Sequence, residues 1–528
     1  MKSNLARAVN RRQFLQAVGG TVALASLVAC TPLVESTTAP MGKVVSDDAE
    51  PQRGGIVRSA VADDATSLDP GVLVNSTDVN LSFLLYNNLI RRSEGEAGAP
   101  LYPELADAWE MNEDATVYTF YLHQGVFFQH GTPFTAKDVE YSINRLIDPN
   151  FICTVGPALG VIDRLEVADE YTIKIYLKEP NVALPYMLSE AGMQIVPHDR
   201  TTEELTKEPA GTGPFVLAER IPGERIVVKR NENYWAEGQP YLDEVHLVVM
   251  PEMAAKVAAL SSGEIDILQQ VGYDMLPALE SSADVTIVES LQSIYPIFAM
   301  HVTEAPFDDL RVRQAFKHAI DRVALHNTIM QGRGAIGNDQ PIGPGSPYWA
   351  DVQPLAYDVE KAKQLLNEAG YPNGIEVTLA AADTGGPRVT DAAFAIQEMV
   401  NAAGITMIVE KIPASTFYAD KFMKAPFFTS WWPAYSEPDG ILPLSYATHG
   451  IYNLSEWSTP QVNELVTTGR EELDTEKRKA VYAEAQAIIS AEGGVIIPYF
   501  APYLQAVRSN LRGHIPASRI VYQQLWFA

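Results

Sequence analysis

The sequence predicts an α/β protein built from more than one domain. A chain of 528 residues is longer than one hydrophobic core usually supports, and 47% hydrophobic residues can fill two or three cores. Alternating runs typical of strands are interspersed with amphipathic helices along the chain. Residues 211–235 are the clearest stretch, because strands over 215–217 and 225–230, joined by a turn over 221–224, predict a β-hairpin.

Other elements are predicted from alternation, helical periodicity and capping signals. The predicted strands cover 116–122, 172–177, 244–250, 375–381, 495–497 and 504–507, and the predicted helices cover 80–91, 135–149, 252–263, 308–323, 358–370, 390–403, 460–473 and 476–491. Thr135 and Asp138 are spaced for a capping box, and Asp308 is the predicted cap of its helix. Gly263 fits a left-handed helix terminator.

The charge of the chain is strongly negative. The formal net charge is −27, and it becomes −31 without residues 1–29, which contain four basic residues and no acid. A nucleic acid must be met by clustered Lys and Arg, so nucleic acid is excluded as a partner. The acidic surface itself is typical of a solvated, soluble protein body.

The N-terminus predicts export. Residues 10–15, NRRQFL, resemble a twin-arginine signal, and the apolar run that follows is too short to span a bilayer. Residues 27–30, LVAC, resemble a lipobox, in which Cys30 would be lipidated and become the mature N-terminus. Residues 30–53 have the composition of a disordered tether. An uncleaved membrane-anchor helix is the alternative for this segment.

Several blocks resemble one family. They are SLDP at 67–70, LADAW at 105–109, GTGPF at 211–215, KRNENYW at 229–235 and RVRQA at 311–315. In order and spacing they are similar to the family 5 extracellular solute-binding proteins of bacterial ABC importers, the peptide, nickel and oligosaccharide receptors. The resemblance implies a two-lobed periplasmic-binding-protein-like α/β fold, with an extra subdomain in the first lobe and the ligand cleft between the lobes.

The resemblance also implies how the chain divides. The predicted segments are a signal at 1–29, a tether at 30–53, a first lobe at 54–290 with an inserted subdomain at about 88–205, a second lobe at 291–492, and a return to the first lobe at 493–528. The implied function is capture of a small peptide-like or other amphipathic nutrient by hinge closure, and its delivery to a membrane permease. The protein is expected to be a monomer that holds no cofactor.

Catalytic motifs are missing from the sequence. The one GxGxxG match, Gly332 to Gly337, follows a predicted helix instead of a strand, so it lacks the context of a dinucleotide site. No GxSxG, HExxH or Walker lysine motif occurs. A binding protein is therefore predicted over an exported hydrolase. A metal-chelate receptor, with His449 as the suggestive ligand, and an oligosaccharide or opine-like receptor are alternatives within the binding class.

The loop over 430–443, SWWPAYSEPDGILP, is the main candidate for ligand contact. It aligns with the family's cleft loop, where peptide receptors usually carry an Asp that pairs with the peptide ammonium. This chain has Ala434 there, and a buried ammonium without a counter-charge costs several kcal/mol. The departure argues against ordinary peptide binding unless Glu437 or Asp439 substitutes.

Aromatic and polar residues complete the predicted site. Trp431, Trp432 and Tyr435 offer flat amphipathic faces for a ligand, although core packing is the alternative for all three.

Two loops supply the remaining candidates. Arg388 and Thr384 lie before the helix predicted at 390, where a guanidinium beside free helix amides suits a carboxylate or phosphate. Asn75 and Thr77 follow the SLDP turn, and they are predicted to give polar contacts from the first lobe. Solvent exposure is the alternative for Arg388, Asn75 and Thr77.

Overall fold

The computed structural model describes residues 50–93, 99–153, 155–156, 158–353, 355–382, 388–517 and 519–528. These residues belong to one compact unit of the chain. The predicted export signal, the lipidation site Cys30 and the candidate Thr384 lie outside the described residues. Within them, no helix has the length and apolar character needed to cross a membrane.

The strands are numbered in chain order. They are β1 (Ile56–Val61), β2 (Ile90–Arg92), β3 (Leu101–Pro103), β4 (Ala106–Met111), β5 (Val117–Leu122), β6 (Ile162–Asp169), β7 (Thr172–Leu177), β8 (Phe215–Ile221), β9 (Arg225–Arg230), β10 (Glu244–Val249), β11 (Ile267–Leu268), β12 (Val285–Met300), β13 (Ala335–Ile336), β14 (Ile375–Ala381), β15 (Ile405–Lys411), β16 (Phe427–Pro433), β17 (Val495–Ile496), β18 (Tyr499–Arg508), β19 (Leu511–Arg512) and β20 (Trp526–Phe527).

The α-helices are numbered in the same way. They are α1 (Ser76–Leu85), α2 (Ala136–Ile147), α3 (Leu184–Met187), α4 (Thr202–Lys207), α5 (Met253–Ser262), α6 (Leu276–Glu280), α7 (Leu310–His318), α8 (Arg322–Met330), α9 (Val359–Glu368), α10 (Val389–Asn401), α11 (Ala414–Asp420), α12 (Leu442–Ser445), α13 (Pro460–Glu471) and α14 (Thr475–Glu492).

One large mixed sheet organises the molecule. Its strand order is β15-β14-β16-β12-β18-β11-β1-β10-β9-β8. β1 is parallel to β10 and β11 at one end, and β14 is parallel to β15 and β16 at the other. We keep the names first lobe (54–290) and second lobe (291–492) for the parts of the chain that supply these two ends; the boundaries themselves stay predictions. The hairpin of β8 and β9 is found as expected.

Two long strands, β12 and β18, join the lobes. They pair from Val285 with Arg508 to Ile294 with Ala501, with a register shift between Glu289 and Ser293. β12 then continues into pairing with β16 of the second lobe. The sequence predicted only the end of β18 and missed β12. Each run contains a proline, for instance Pro296 in β12. Proline in a sequence argues against a central strand, so the sequence did not indicate the full length of either strand.

A separate antiparallel sheet, in the order β4-β5-β7-β6, lies within the predicted subdomain. Helix α2 contacts it and begins with the expected capping box: the Thr135 N–H donates to Asp138 Oδ2 at 2.8 Å. The side chains between sheet and helix form their own core, which includes Phe120, Val139 and Ile173. The subdomain therefore has a hydrophobic core of its own.

Two predicted helices were wrong in extent. The helix expected over 80–91 is α1, which begins earlier because Asn75 caps it, with Asp78 completing a capping box, and which ends at Leu85 because Tyr86 is extended. The single helix expected over 308–323 is α7 followed by α8, since Asp321 caps a new helix. The cap of α7 is Asp309, and the predicted Asp308 does not have this role. Val323 is consequently 57% exposed instead of buried.

The GxGxxG segment serves backbone packing. Ala335 and Ile336, between the second and third glycines of the motif, form β13, which pairs with β18. A Cβ atom placed on Gly334 would lie 2.1 Å from the carbonyl oxygen of Phe500, and one on Gly337 would lie 2.1 Å from that of Ile497. Glycine is therefore required because two backbone segments of the protein approach each other closely here, which explains the motif without a nucleotide.

Candidate functional site

A cavity of about 510 Å³ lies where both lobes meet β12 and β18. Its polar lining comes from Gln270, Tyr273 and Asp274 of the first lobe and from Gln331, Arg388 and Asp391 of the second. Ile294 of β12 and Tyr503 of β18 also contribute to the wall. The cavity adjoins the N-termini of α5 and α10, each of which comes after a strand of a parallel pair. Ligands of open α/β sheets bind in this position, beyond the carboxyl ends of the strands.

Arg388 is the predicted site residue that lines this cavity. It precedes α10 in a left-handed conformation, with φ of 53°. Its Nε donates to Asp391 Oδ2 at 2.8 Å and its Nη1 donates to the Ile329 carbonyl at 2.8 Å. The guanidinium is therefore held in place by its own lobe, beside the N-terminus of a 13-residue helix. The helix N-terminus favours an anionic ligand group. Asp391 already balances the charge of Arg388, and the guanidinium keeps Nη2, which donates to no group of the described residues, for a hydrogen bond to such a ligand.

The opposite wall of the cavity carries different chemistry. The Tyr273 hydroxyl is buried and makes no hydrogen bond within the described part of the chain. Burial raises its pKa, while the charges of Arg333 and Arg388 act in the other direction. Asp274 lies on the same wall, so that the cavity offers carboxylates as well as the Arg388 guanidinium. A solute that carries both a negative and a positive or donor group matches this lining.

The predicted aromatic trio does not form one surface. Trp432 pairs with Tyr295 across β12 and β16, and its ring contacts Tyr452 edge-on at a centroid distance of 5.3 Å. Its Nε1 is buried without a hydrogen-bond partner among the described residues. Trp431, the residue before Trp432 in β16, points to the other face of the sheet because side chains alternate along a strand. Tyr435 packs against the same core as Trp432.

Ala434 is in close contact with another loop of its own lobe. A Cβ atom placed on Gly343 would lie 2.8 Å from Ala434 Cβ. The Ala434 N–H donates to the Ser293 carbonyl at 2.7 Å, which continues the pairing of β12 with β16. The Ser293 hydroxyl is buried near the same place and has no partner in the described residues. A carboxylate at position 434 would therefore enter a narrow polar gap.

Glu437 and Asp439 are bound to arginine. Arg478 Nη2 donates to Glu437 Oε2 at 2.9 Å and to Asp439 Oδ2 at 3.0 Å. Asp439 also accepts from Arg470 Nε at 3.4 Å and from the Tyr482 hydroxyl at 3.1 Å. Both carboxylates are thus hydrogen-bonded within the protein, so neither is freely available to replace the missing Asp of peptide receptors.

Glu437 keeps one unusual feature. Its Oε1 is buried and has no partner among the described residues. Burial raises the pKa of this carboxyl to about 7; Arg478 lowers it and Asp439 raises it further. The charge of Glu437 in turn helps to raise the pKa of Tyr186, a residue of the inserted subdomain, where burial is the main cause. Glu437 thus lies where the subdomain faces the second lobe.

Asn75 and Thr77 have local roles in the first lobe. The Asn75 side chain accepts the Asp78 N–H at 3.0 Å and donates to the Asp64 carbonyl at 3.0 Å. The Thr77 hydroxyl donates to the Asp63 carbonyl at 2.8 Å, and the residue is fully buried. Both side chains therefore hold the loop after β1 onto α1, and neither lines the cavity.

Sequence reasoning missed most of the cavity wall. Gln270, Tyr273 and Asp274 follow β11, and polar residues directly after a buried strand were the available signal. Arg470 and Arg478 lie on α13 and α14, and no local pattern indicates that they meet the loop after β16. Within the described residues, no group of three or more His, Cys, Asp or Glu side chains could hold a metal ion.

The two lobes joined by β12 and β18, with a cavity between them, define the class of two-lobed binding proteins. The family model for bacterial extracellular solute-binding proteins, family 5, middle region, matches residues 100–453. The chain belongs to this family, and it is a substrate-capturing protein of an ABC importer. The family prediction and the α/β binding-protein fold are thereby confirmed.

Known relatives and structures span much of the chain. It is 28% identical over 447 residues to a glutathione-binding protein of Pectobacterium atrosepticum, covering 82% of this chain and 86% of that one. It is 28% identical over 466 residues to heme-binding protein A of Haemophilus influenzae, covering 80% and 82%. The solved structure of the ABC transporter-associated periplasmic binding protein DppA of Helicobacter pylori, in complex with the peptide STSA, superposes with a TM-score of 0.76, covering 90% and 98% at 24% identity.

Proposed function

We propose that this protein is exported through the twin-arginine pathway, is anchored to the membrane by a lipid on Cys30, and captures one small solute by closure of its lobes. A membrane permease recognises the closed form and receives the solute from it. Ligand binding favours closure only through its higher affinity for the closed form. The protein acts as a monomer, with the ligand and the permease subunits as its partners.

The observation that carries this proposal is the cavity at the crossing strands. It is lined from both lobes, so a ligand there would contact both and would favour their closed arrangement. Its volume of about 510 Å³ lies within the range of about 300 to 1,000 Å³ that is usual for small-molecule sites. Micromolar capture corresponds to a binding free energy of about −8 kcal/mol.

The cavity favours a compact solute with an anionic group. Arg388 and the N-terminus of α10 would bind a carboxylate, and Asp274 would accept a donor at the other wall. A glutathione-sized peptide derivative suits this pattern, and a glutathione-binding protein is among the relatives. The metal-chelate alternative rests on His449, which is exposed and belongs to no metal-binding cluster of the described residues.

The proposal includes the absence of catalysis. No sequence motif supplies a nucleophile with its base. The ligand is expected to be recovered intact after long incubation with the purified protein. Turnover of the ligand by the purified protein would instead support the exported hydrolase.

The decisive experiment identifies the cargo. The protein is purified from the periplasm of its own organism, and native mass spectrometry gives the mass of the solute that it carries. Calorimetry with that solute then compares the wild type with Arg388→Gln, which should bind at least tenfold more weakly if the guanidinium holds a desolvated anion. Arg164→Gln, at an exposed position of β6, is the control. Equal affinity of Arg388→Gln and the wild type would remove the anion site from the proposal.

A further inference from the structure

The lobes also meet at a second place, which no residue of the cavity shares. There the inserted subdomain contacts the end of α13 through Arg470. The Val182 N–H donates to the Arg470 carbonyl at 3.3 Å, and Arg470 Nη1 donates to Glu179 Oε1 at 3.1 Å. Glu179 and Val182 follow β7, and Arg470 belongs to the second lobe. Two bonds from one residue therefore link the lobes away from the proposed ligand.

The contact is continuous with the buried charges of the second lobe. Arg470 Nε also donates to Asp439, which shares Arg478 with Glu437. The loop that carries Glu437 and Asp439 leads directly out of β16. Arg470 is thus attached on one side to this loop and on the other to the subdomain.

Further groups of the subdomain face the same region. The charge of Glu437 acts on Tyr186, and the charge of Glu190 acts on Tyr435. Glu190 is itself paired with Arg92 of the subdomain. The interface is therefore polar and extends beyond Arg470, and its two sides belong to lobes that separate when the protein opens.

We propose that Arg470 is an interlobe clasp, which stabilises the closed arrangement through Glu179 and Val182 without any ligand. The inference rests on the lobe closure in the proposed function and adds a regulation to it. A clasp of this kind raises the ligand-free population of the closed form. It thereby tunes the apparent affinity, since a binding-competent form that is more populated captures ligand at lower concentration.

The exposure of the pair limits the size of the effect. The Glu179 side chain is 58% exposed and that of Arg470 is 25% exposed. Exposed ion pairs of this kind change an equilibrium by a factor of roughly 1.5 to 5 at moderate ionic strength. Salt screens such a pair, so the closed population is also expected to fall as salt is raised. The clasp is therefore a weak bias on the equilibrium and leaves the ligand able to control it.

The test measures the distance between the lobes in the absence of ligand. Spin labels are attached at Glu113→Cys in the subdomain and Lys477→Cys in the second lobe, both exposed positions, in a chain with Cys30→Ala and Cys153→Ala. The protein is unfolded and refolded to remove bound solute, and native mass spectrometry verifies that it is empty. Pulsed electron-spin resonance then gives the fractions of short and long distances.

Glu179→Gln should lower the ratio of short to long distances by roughly 1.5- to 5-fold. The matched control is Glu203→Gln, which removes an exposed ion pair to Lys207 within helix α4. Arg470→Gln should act in the same direction, and the double variant should resemble the stronger single one, because both substitutions break one contact. Thermal unfolding of each variant verifies that it is folded.

Two outcomes would overturn the clasp. One is an unchanged distance distribution in Glu179→Gln, and the other is a wholly open ligand-free wild type. Since the experiment uses no ligand, either outcome leaves the identity of the cargo and its capture untouched. Conversely, a failure to find a cargo would leave the measured clasp in place.

Discussion

At the scale of single residues, the loop after β16 keeps its carboxylates engaged within the protein, and none of its residues lines the cavity. Ala434 has no charge, and Glu437 and Asp439 are bound by Arg478. Asp439 also accepts from Arg470. Glu437, by contrast, has Arg478 alone and accepts from it through Oε2, so Glu437 Oε1 is left without a partner among the described residues. The cost of burying that charge appears as the raised pKa of Glu437.

The first prediction concerns the pH dependence of stability. Burial raises the pKa of Glu437 from 4.5 to about 7, so the folded protein holds this proton where the unfolded chain has lost it. The corresponding stabilisation is complete below pH 4.5 and is lost as the pH rises through 7. Glu437→Gln has no titrating group at this position and does not lose this stabilisation. The free energy of unfolding of Glu437→Gln minus that of the wild type should therefore rise by about 1.4 kcal/mol per pH unit between pH 4.5 and about 7.

Urea denaturation at pH 5, 6, 7 and 8 measures this difference. A difference between variant and wild type that stays constant over this range would contradict a raised pKa at Glu437.

The second prediction concerns the ligand class. Because Ala434 lacks the amine-binding carboxylate of peptide receptors, unblocked di- and tripeptides should bind the wild type weakly. Ala434→Asp should strengthen their binding by about 2 to 5 kcal/mol, through an ion pair in a poorly solvated cleft. Ala434→Asn has the same shape without the charge and is the control. Calorimetry measures the affinities, and thermal unfolding verifies that position 434 tolerates the larger side chain beside Gly343.

N-acetylated peptides should not share this gain. Micromolar binding of unblocked peptides by the wild type, abolished by N-acetylation, would show that another acid holds the amine.

At the scale of elements, helix ends hold the loops that surround the cleft. Helix α1 begins at an Asn75 cap with a capping box, and the same side chain fixes the loop after β1. Helix α10 begins at Arg388 without a side-chain cap from that residue, and its N-terminus adjoins the cavity. The N-terminus of α1 is thus capped by the side chain of Asn75, whereas the N-terminus of α10 adjoins the cavity proposed for the ligand.

The third prediction separates these two roles. Asn75→Ala should reduce the free energy of unfolding by about 1 kcal/mol, the usual cost of losing a side-chain cap. It should leave the affinity for the co-purified solute unchanged, because Asn75 does not line the cavity. Ser76→Ala, at the exposed neighbouring position, is the control. A tenfold loss of affinity at unchanged stability would restore Asn75 as a ligand residue.

At the scale of the whole molecule, we expect the described body and the N-terminal segment to have separate tasks. The body holds the two lobes and the cavity, and residues 1–53 are predicted to deliver and tether it. The strongly acidic body would stay in solution beside the membrane, so its attachment is expected to depend on the lipid at Cys30.

The fourth prediction tests this separation. Arg11→Lys combined with Arg12→Lys should leave the precursor in the cytoplasm, because the twin-arginine signal is lost. Cys30→Ala should give an exported form that no longer fractionates with the membrane. Cys153→Ala is the control for loss of a cysteine and should remain membrane-bound. Unchanged membrane fractionation of the Cys30 variant would contradict the lipid anchor.

The sequence by itself determined the family, the α/β class, and those elements whose signals are local. The hairpin of β8 and β9 and the capping box of α2 were predictable because neighbouring residues alone specify them. The position of Arg388 in front of a helix was predictable in the same way, and its contact with a ligand stays a prediction.

The tertiary structure alone decided the contacts between distant segments. β12 and β18 are strands because each has partners on both sides, which outweighs their prolines. Glu437 became unavailable to an amine because α14 brings Arg478 beside it, 41 residues along the chain. Such pairings depend on long-range packing, and no short stretch of sequence carries a signal for them.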